Sequence, residues 1–423
     1  MKARQPKILF ASNEVVGMGH LRIVLRLAAC IGTELTDTSM LLLTASTMAH
    51  AFPLTKGLDV IQLPGIDRSN GYTSYRPLRL PLTFEEVKRL RERIIGETAR
   101  TYRPDLFLVD YRPGGVAGEL VATLRALKKR GQTALVLLLR DILDDPGIVR
   151  AQWRADRAKR ALEYYDEIWV YGCQNLYDPI REYQLPAEIA RKIRFCGYLD
   201  VDAPAAASND VRKTLGIARQ PFVLVTVGSG RVGFPVLDTY VRALAQFPNE
   251  LDLFSLIVGG PSLPMEQRDI ICRQCEAISS CYPHRRVRFT DFLPNLLDYM
   301  AAADVVVSLG GYNAVTEILR LGRCSVVVPY AAAHDEQLIR ASLLESLGLI
   351  RTIHPNQLSP QSLVETILAA LQDRPPTHQR LLQLGLSFDG LQHIKDHVMR
   401  LLKARHGNLT CLRIATDGYQ SNR

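Results

Sequence analysis

Residues 304–340 read DVVVSLGGYNAVTEILRLGRCSVVVPYAAAHDEQLIR. Two short apolar runs, 305–307 and 326–328, lack the polar alternation of a half-exposed strand, so they predict strands buried on both faces. The first run breaks at Gly310 and Gly311 and the second at Pro329, and each break leads into a helix. Repeated strand–turn–helix units predict a parallel sheet covered by helices. In such a sheet, strand ends and helix N-termini converge on one edge, where backbone N–H groups favour anionic ligands.

The same grammar extends over most of the chain. Upstream, apolar strands are predicted in KILFAS (7–12), MLLLTAS (40–46), LDVIQLPG (58–65), PDLFLVDY (104–111), TALVLLLRD (133–141), DEIWVYG (166–172) and KIRFCGYL (192–199). A second series opens with PFVLVTVGSGRVG (221–233) and LDLFSLIVGG (251–260). Residues 66–82, rich in Tyr, Arg and Pro, read as an exposed irregular loop. A chain of 423 residues is too long for one ordinary core. The expected organisation is an α/β protein with a Rossmann-like domain over 1–200, a linker over 201–215 and a second such domain over 216–380. A helix over 381–403 and a tail over 404–423 follow.

The 47% hydrophobic, 22% charged composition is that of a globular protein and excludes fibrous and disordered classes. No apolar run approaches the roughly 18 residues of a membrane span. The first strand starts within ten residues, and GMGH stands where a signal-peptide cleavage site would be, so a cytoplasmic protein is expected. The eight cysteines lie mostly singly among apolar residues, as reduced core thiols do. Cys272, Cys275 and Cys281, with His284, fall on a helix running into a loop, so no metal site is expected. The net charge of +9 suits an anionic substrate or an anionic membrane surface. The basic residues are scattered without an aromatic-interleaved stripe, so no nucleic-acid partner is expected.

Candidate chemistry falls on the predicted strand ends. In Gly17-Met18-Gly19-His20, Gly19 permits close approach, and His20 can take a proton from an acceptor hydroxyl or merely cap and pack the helix. Asp110 and Asp141 can orient an acceptor, supply the base in place of His20, or pair structurally with Arg112 and Arg140. Gly228, Ser229 and Gly230 can cradle a phosphate, with Arg231 adding charge; the segment is not a Walker A motif. After Gly310 and Gly311, Asn313 is a candidate helix cap, with Thr316 and Glu317 three and four residues on. Glu317 can accept both hydroxyls of a ribose. His334, Asp335, Glu336 and Gln337 open the next helix, where an acid and an amide suit sugar hydroxyls better than pyrophosphate.

These segments resemble the GT-B glycosyltransferases related to MurG, the UDP-GlcNAc transferase of peptidoglycan synthesis, with its family-28-like C-terminal domain. The resemblance rests on Gly310 through Glu317, Pro329, Glu336 with Gln337, Gly19 with His20, and Gly228 to Gly230. It looks closer still to an uncharacterised bacterial branch of predicted glycosyltransferases, over 104–119, 139–144, 164–172 and 336–348. It implies a GT-B fold, two Rossmann-like domains whose parallel sheets face an interdomain cleft, with the last helix crossing back to the first domain. It further implies that Glu317 binds a ribose, Gly228 to Gly230 meet a diphosphate, Glu336 and Gln337 bind the donor sugar, and Phe292 and Leu293 lie near the base. His20 would stand on the acceptor side. The implied reaction moves a hexosyl group from a UDP- or dTDP-type sugar to a hydroxyl or amine by inverting displacement, without a catalytic metal or other cofactor. The turn before Glu317 reads GGYNAVT rather than the RAGAST-like form, so MurG's acceptor does not carry over. A sugar-nucleotide 2-epimerase and a non-catalytic nucleotide-sugar-binding protein remain alternatives. The partners expected are the donor and an unidentified small-molecule acceptor. A monomer or homodimer, compatible with peripheral contact at the inner membrane, is expected.

Overall fold

The computed structural model describes residues 5–12, 18–69, 74–154, 161–201, 208–332 and 334–406. Gly17 and the tail beyond 406 lie outside the described residues. The chain divides into two compact units, Met1–Leu199 with Ser387–Arg423, and Asp200–Leu386.

The first unit holds a seven-stranded parallel sheet of β1 (Lys7–Ser12), β2 (Ser39–Thr44), β3 (Leu58–Gln62), β6 (Leu106–Asp110), β7 (Ala134–Arg140), β8 (Glu167–Tyr171) and β9 (Ile193–Phe195). Its order is β3-β2-β1-β6-β7-β8-β9. The chain builds outward on one side of β1, then returns to build on the other. Ile8, Leu9, Phe10, Leu106, Phe107 and Leu108 are all buried, which is why these strands read as continuous apolar runs.

Part of the expected irregular loop is ordered: β4 (Ile66–Ser69) and β5 (Ser74–Pro77) pair as antiparallel strands, with Ile66 and Asp67 buried. Such short strands give too few residues for alternation to register. β5 leads into the helix Phe84–Tyr102, which starts on a capping box between Thr83 and Glu86.

The second unit repeats the plan with β10 (Phe222–Thr226), β11 (Leu253–Val258), β12 (Arg285–Thr290), β13 (Val305–Ser308), β14 (Cys324–Val327) and β15 (Arg351–Thr352), in the order β12-β11-β10-β13-β14-β15. Along β10, Val223 and Val225 enter one buried cluster, while Phe222 and Leu224 enter the cluster on the opposite face. Residues 208–215, expected in the linker, instead form the helix Ser208–Leu215. Val211 and Leu215, four residues apart on one helix face, join that second cluster.

The last predicted helix is also corrected. It is two helices, His378–Gln383 and Gly390–His406, separated by a break with Gly385 at φ 76°. The left-handed glycine ends the first helix despite an unbroken apolar pattern. The second helix belongs to the first unit, packing on the helix Gly19–Glu34, with Arg400 2.7 Å from Glu167. Among the described residues, no helix is long and apolar enough to cross a membrane.

Candidate functional site

In both sheets the strand order reverses beside the first strand, between β1 and β6 and between β10 and β13. Loops leaving two such strands diverge to opposite faces and leave a crevice at the C-terminal edge. Gly19, His20 and Asp110 flank the first switch point and 228–231 and 310–317 the second, whereas Asp141, Phe292, Leu293 and 334–337 follow other strands of the two sheets.

In the first unit, His20 is the second residue of the helix Gly19–Glu34, and Asp110 ends β6. The structure brings them together: His20 Nδ1 lies 2.7 Å from Asp110 Oδ2. Asp110 is fully buried, whereas 13% of the His20 side chain is exposed. Tyr171, the last residue of β8, donates its hydroxyl to Asp110 Oδ1 at 3.1 Å. Tyr111, next after Asp110, has φ 68°, a left-handed conformation that an aromatic residue adopts only under strain of about 1–2 kcal/mol. The strain turns its ring to 4.7 Å from the imidazole, where the Arg112 and Arg140 guanidinium groups lie over it at 5.6 and 5.8 Å. Backbone strain of this kind concentrates at functional sites.

Asp141 is different. Its Oδ1 accepts from the Ile142 N–H and its Oδ2 from the Tyr198 hydroxyl, both at 2.8 Å, and it is fully buried. A Cβ at Gly172 would come within 2.4 Å of the Asp141 Cβ, so the following strand end is shaped around this side chain. Asp141 is thus held at the strand end through both oxygens. Nearby, burial pushes the Cys173 thiol above its ordinary value and the Asp141 charge adds to the rise.

In the second unit, Gly228 (φ 65°) is exposed with open space around it, and Ser229 is half-buried. Gly230 (φ 90°) is buried, and a Cβ there would lie 2.3 Å from the Gly259 carbonyl oxygen. Gly260 returns the contact, with its Cβ position 2.3 Å from the Ser229 carbonyl carbon. The two turns after β10 and β11 thus stack backbone on backbone, and the Ser262 N–H donates to the Ser229 carbonyl at 2.7 Å. Gly259 and Gly260 were missed in the sequence, although a glycine pair after the apolar run LFSLIV was the available signal. Arg231 is exposed, and Phe292 and Leu293 are half-buried just past β12.

Beyond β13, Gly310 has φ 80°, and Gly311 rather than Asn313 occupies the cap position of the helix Tyr312–Arg320. Asn313 lies inside the first turn, and no side-chain bond caps this helix. The Thr316 hydroxyl donates back to the Tyr312 carbonyl at 2.9 Å, a local bond within the helix. Glu317 is only 1% exposed, on the inner side of that helix. His334 and Asp335 are half-buried ahead of the helix Glu336–Ser346. Glu336 pairs at 2.9 Å with Arg340, itself buried beside the Tyr312 ring. The Gln337 side-chain carbonyl accepts from the Tyr330 N–H at 3.0 Å, and its amide nitrogen faces Gly311. This bond orients the amide with its N–H donors toward the glycine turn.

Residues 222–384 match the Glycosyltransferase family 28 C-terminal domain. Over 169 residues the chain is 27% identical to the UDP-N-acetylglucosamine–N-acetylmuramyl-(pentapeptide) pyrophosphoryl-undecaprenol N-acetylglucosamine transferase of Haemophilus influenzae, covering 40% of this chain and 43% of that one. The chain therefore spans less than half the length of that curated relative. Solved structures with a similar fold include MurG of Acinetobacter baumannii, at TM-score 0.56 and 16% identity over 94% of this chain and all of that one. The calicheamicin glycosyltransferase CalG4 superposes at TM-score 0.60 and 17% identity over 98% of this chain and all of that one.

The second unit carries a glycosyltransferase family 28 C-terminal domain, and the fold is GT-B.

In this GT-B protein the family-28 match covers the whole second sheet, including the glycine turns after β10 and β13 and the Glu336–Ser346 helix. Among the described residues, no group of three or more His, Cys, Asp or Glu side chains is arranged to hold a metal ion. Cys272, Cys275 and Cys281 lie on the helix Met265–Cys281, and burial pushes the Cys275 thiol up to about 12. The supporting residues Tyr171, Tyr198 and Arg340 were not legible from sequence, because an isolated tyrosine or arginine in a strand or helix carries no sign of what it braces.

Proposed function

We propose that this GT-B protein transfers a hexosyl group from a nucleoside-diphosphate sugar, of UDP or dTDP type, to an acceptor hydroxyl or amine by inverting displacement. The observation that carries the proposal is the His20 imidazole held at 2.7 Å by a buried carboxylate at the switch point of the first sheet. With the proton on Nδ1, the nitrogen beside the Asp110 carboxylate, Nε2 carries the lone pair, the arrangement a general base needs. The acceptor proton passes to Nε2, the acceptor oxygen or nitrogen attacks the sugar C1, and the C1–O bond to the diphosphate breaks. The electron pair leaves with the nucleoside diphosphate.

The second unit supplies the donor groups. The exposed Gly228 and half-buried Ser229 offer backbone at the switch point, and the Tyr312–Arg320 helix directs its N-terminus there, which suits a leaving diphosphate. Gln337 and the Arg340-braced Glu336 suit sugar hydroxyls. Glu317, with Asn313 and Thr316 on the same helix, remains our candidate for the ribose. Phe292 and Leu293 are assigned to the base, and His334 and Asp335 to the sugar side. Stabilisation of the leaving group by N–H groups needs no catalytic metal. Kinship with the Haemophilus transferase supports the donor class, while the acceptor is left to this chain's own first unit.

Incubation with UDP- and dTDP-hexoses tests the alternatives together. A donor returned epimerised at C2 without acceptor would indicate the epimerase, and binding with neither transfer nor epimerisation would indicate a sensor. Label moving into an acceptor, and failing to move with His20→Ala, supports the transferase.

We further propose a cytoplasmic protein, monomeric or homodimeric, making peripheral contact with an anionic membrane surface. Leu78, Leu80 and Leu82 are 37%, 41% and 42% exposed beside Arg76 and Arg79, a combination suited to shallow apolar insertion with charge attraction.

A further inference from the structure

We propose that Tyr171 is a positioning residue for the His20–Asp110 pair, which fixes the tautomer of the imidazole; this rests on the assignment of His20 as the base. Tyr171 is remote in sequence from both partners and lies on β8, two strands from β6. Its fully buried side chain reaches over the end of β7, and its hydroxyl meets Asp110 Oδ1 at 3.1 Å. The other carboxylate oxygen lies 2.7 Å from His20 Nδ1. A buried carboxylate that accepts a hydrogen bond at one oxygen is restrained about its side-chain torsion, so its other oxygen is presented to the imidazole over a narrow range of directions. The acceptor so presented favours the proton on Nδ1 and the lone pair on Nε2. The neighbouring strand end carries an internal control. There Tyr198 donates to Asp141 at 2.8 Å, and no contact with His20 follows from that bond.

The full-length chain labelled with ¹⁵N in histidine provides the test, with the His20 ring nitrogens assigned by their loss in His20→Gln. In the wild type the Nδ1–H tautomer is expected. Tyr171→Phe, which keeps the ring and removes one oxygen, is expected to shift the ring nitrogens toward a mixture with the Nε2–H tautomer. Tyr198→Phe is expected to leave them unchanged. Should Tyr171→Phe fail to fold, 3-fluorotyrosine at 171 keeps the packing, changes the donor strength of the hydroxyl, and should still move the His20 shifts. Unmoved shifts in a folded Tyr171→Phe, or an equal movement with Tyr198→Phe, would overturn the assignment. The measurement needs no turnover, so a failure of His20 as base, seen as sugar transfer persisting in His20→Ala, is recorded separately.

Discussion

A proton must leave the acceptor as the glycosidic bond forms, and in the first unit His20 is the side chain best arranged to receive it. General-base groups typically contribute about 10²- to 10⁴-fold to rate. His20→Ala is therefore expected to lower kcat by about that factor while the thermal shift induced by donor stays intact. Asp110→Asn should give a comparable loss, because the amide no longer specifies Nδ1–H. Asp141→Asn should act through stability instead, measured by denaturant unfolding, since both Asp141 oxygens are spent on Ile142 and Tyr198. A second histidine is informative about folding. Burial, and then the Arg400 charge, depress His397, which packs on Trp169. The unfolded chain therefore binds the proton first, so stability is expected to fall as pH drops below about 6.5, and His397→Gln should flatten that slope. His20 was legible because a glycine-bounded histidine at a helix start is unusual. Its pairing with Asp110 was not, because β1 and β6 become neighbours only after the chain has built β2 and β3 on the other side.

At the scale of elements, two contacts hold the site-bearing loops. Arg91, in the helix Phe84–Tyr102, donates through Nη2 to Glu119 at 2.7 Å and through Nη1 to the Pro64 carbonyl at 2.8 Å, with both ionic side chains 1% exposed. Glu119 also accepts from the Val116 and Ala117 N–H groups, ordering the loop after β6. Glu119→Ala strands a buried guanidinium and should cost about 3–5 kcal/mol in chemical denaturation. The glycine turns of the second unit allow a paired comparison. Gly228→Ala meets only the left-handed backbone cost, about 1–2 kcal/mol, because the space beside it is open. Gly260→Ala drives a methyl into the Ser229 and Gly230 backbone and should destabilise more and abolish donor binding. Equal effects of the two would contradict the stacked-turn geometry. The strands of both sheets were readable because burial on both faces leaves uninterrupted apolar runs. The paired strands 66–69 and 74–77, the helix at 208–215 and the break around Gly385 were not. There, structure depends on tertiary partners or on one residue's φ, neither of which leaves a periodic signal.

At the scale of the whole molecule, the +9 charge and the exposed leucines near β5 make a joint expectation. Binding to phosphatidylglycerol vesicles should weaken as salt rises, while Leu80→Ser with Leu82→Ser should weaken it at every salt concentration. The repeated strand plan of the two sheets was legible from sequence, whereas the division of the chain, in which Ser387–Arg423 rejoins the first unit, is a property of tertiary contacts. The central claim is that the second unit binds a nucleoside-diphosphate sugar through the turns after β10 and β13. The most direct measurement is calorimetric titration with UDP-, dTDP-, GDP- and ADP-sugars, with Mg²⁺ or EDTA, on the wild type and on Glu317→Gln. The account predicts saturable binding of the UDP or dTDP class, indifferent to EDTA and weakened about tenfold or more in the variant, a loss of about 1.4 kcal/mol. Absence of binding by all four classes, or an unchanged affinity in a folded Glu317→Gln, would contradict it.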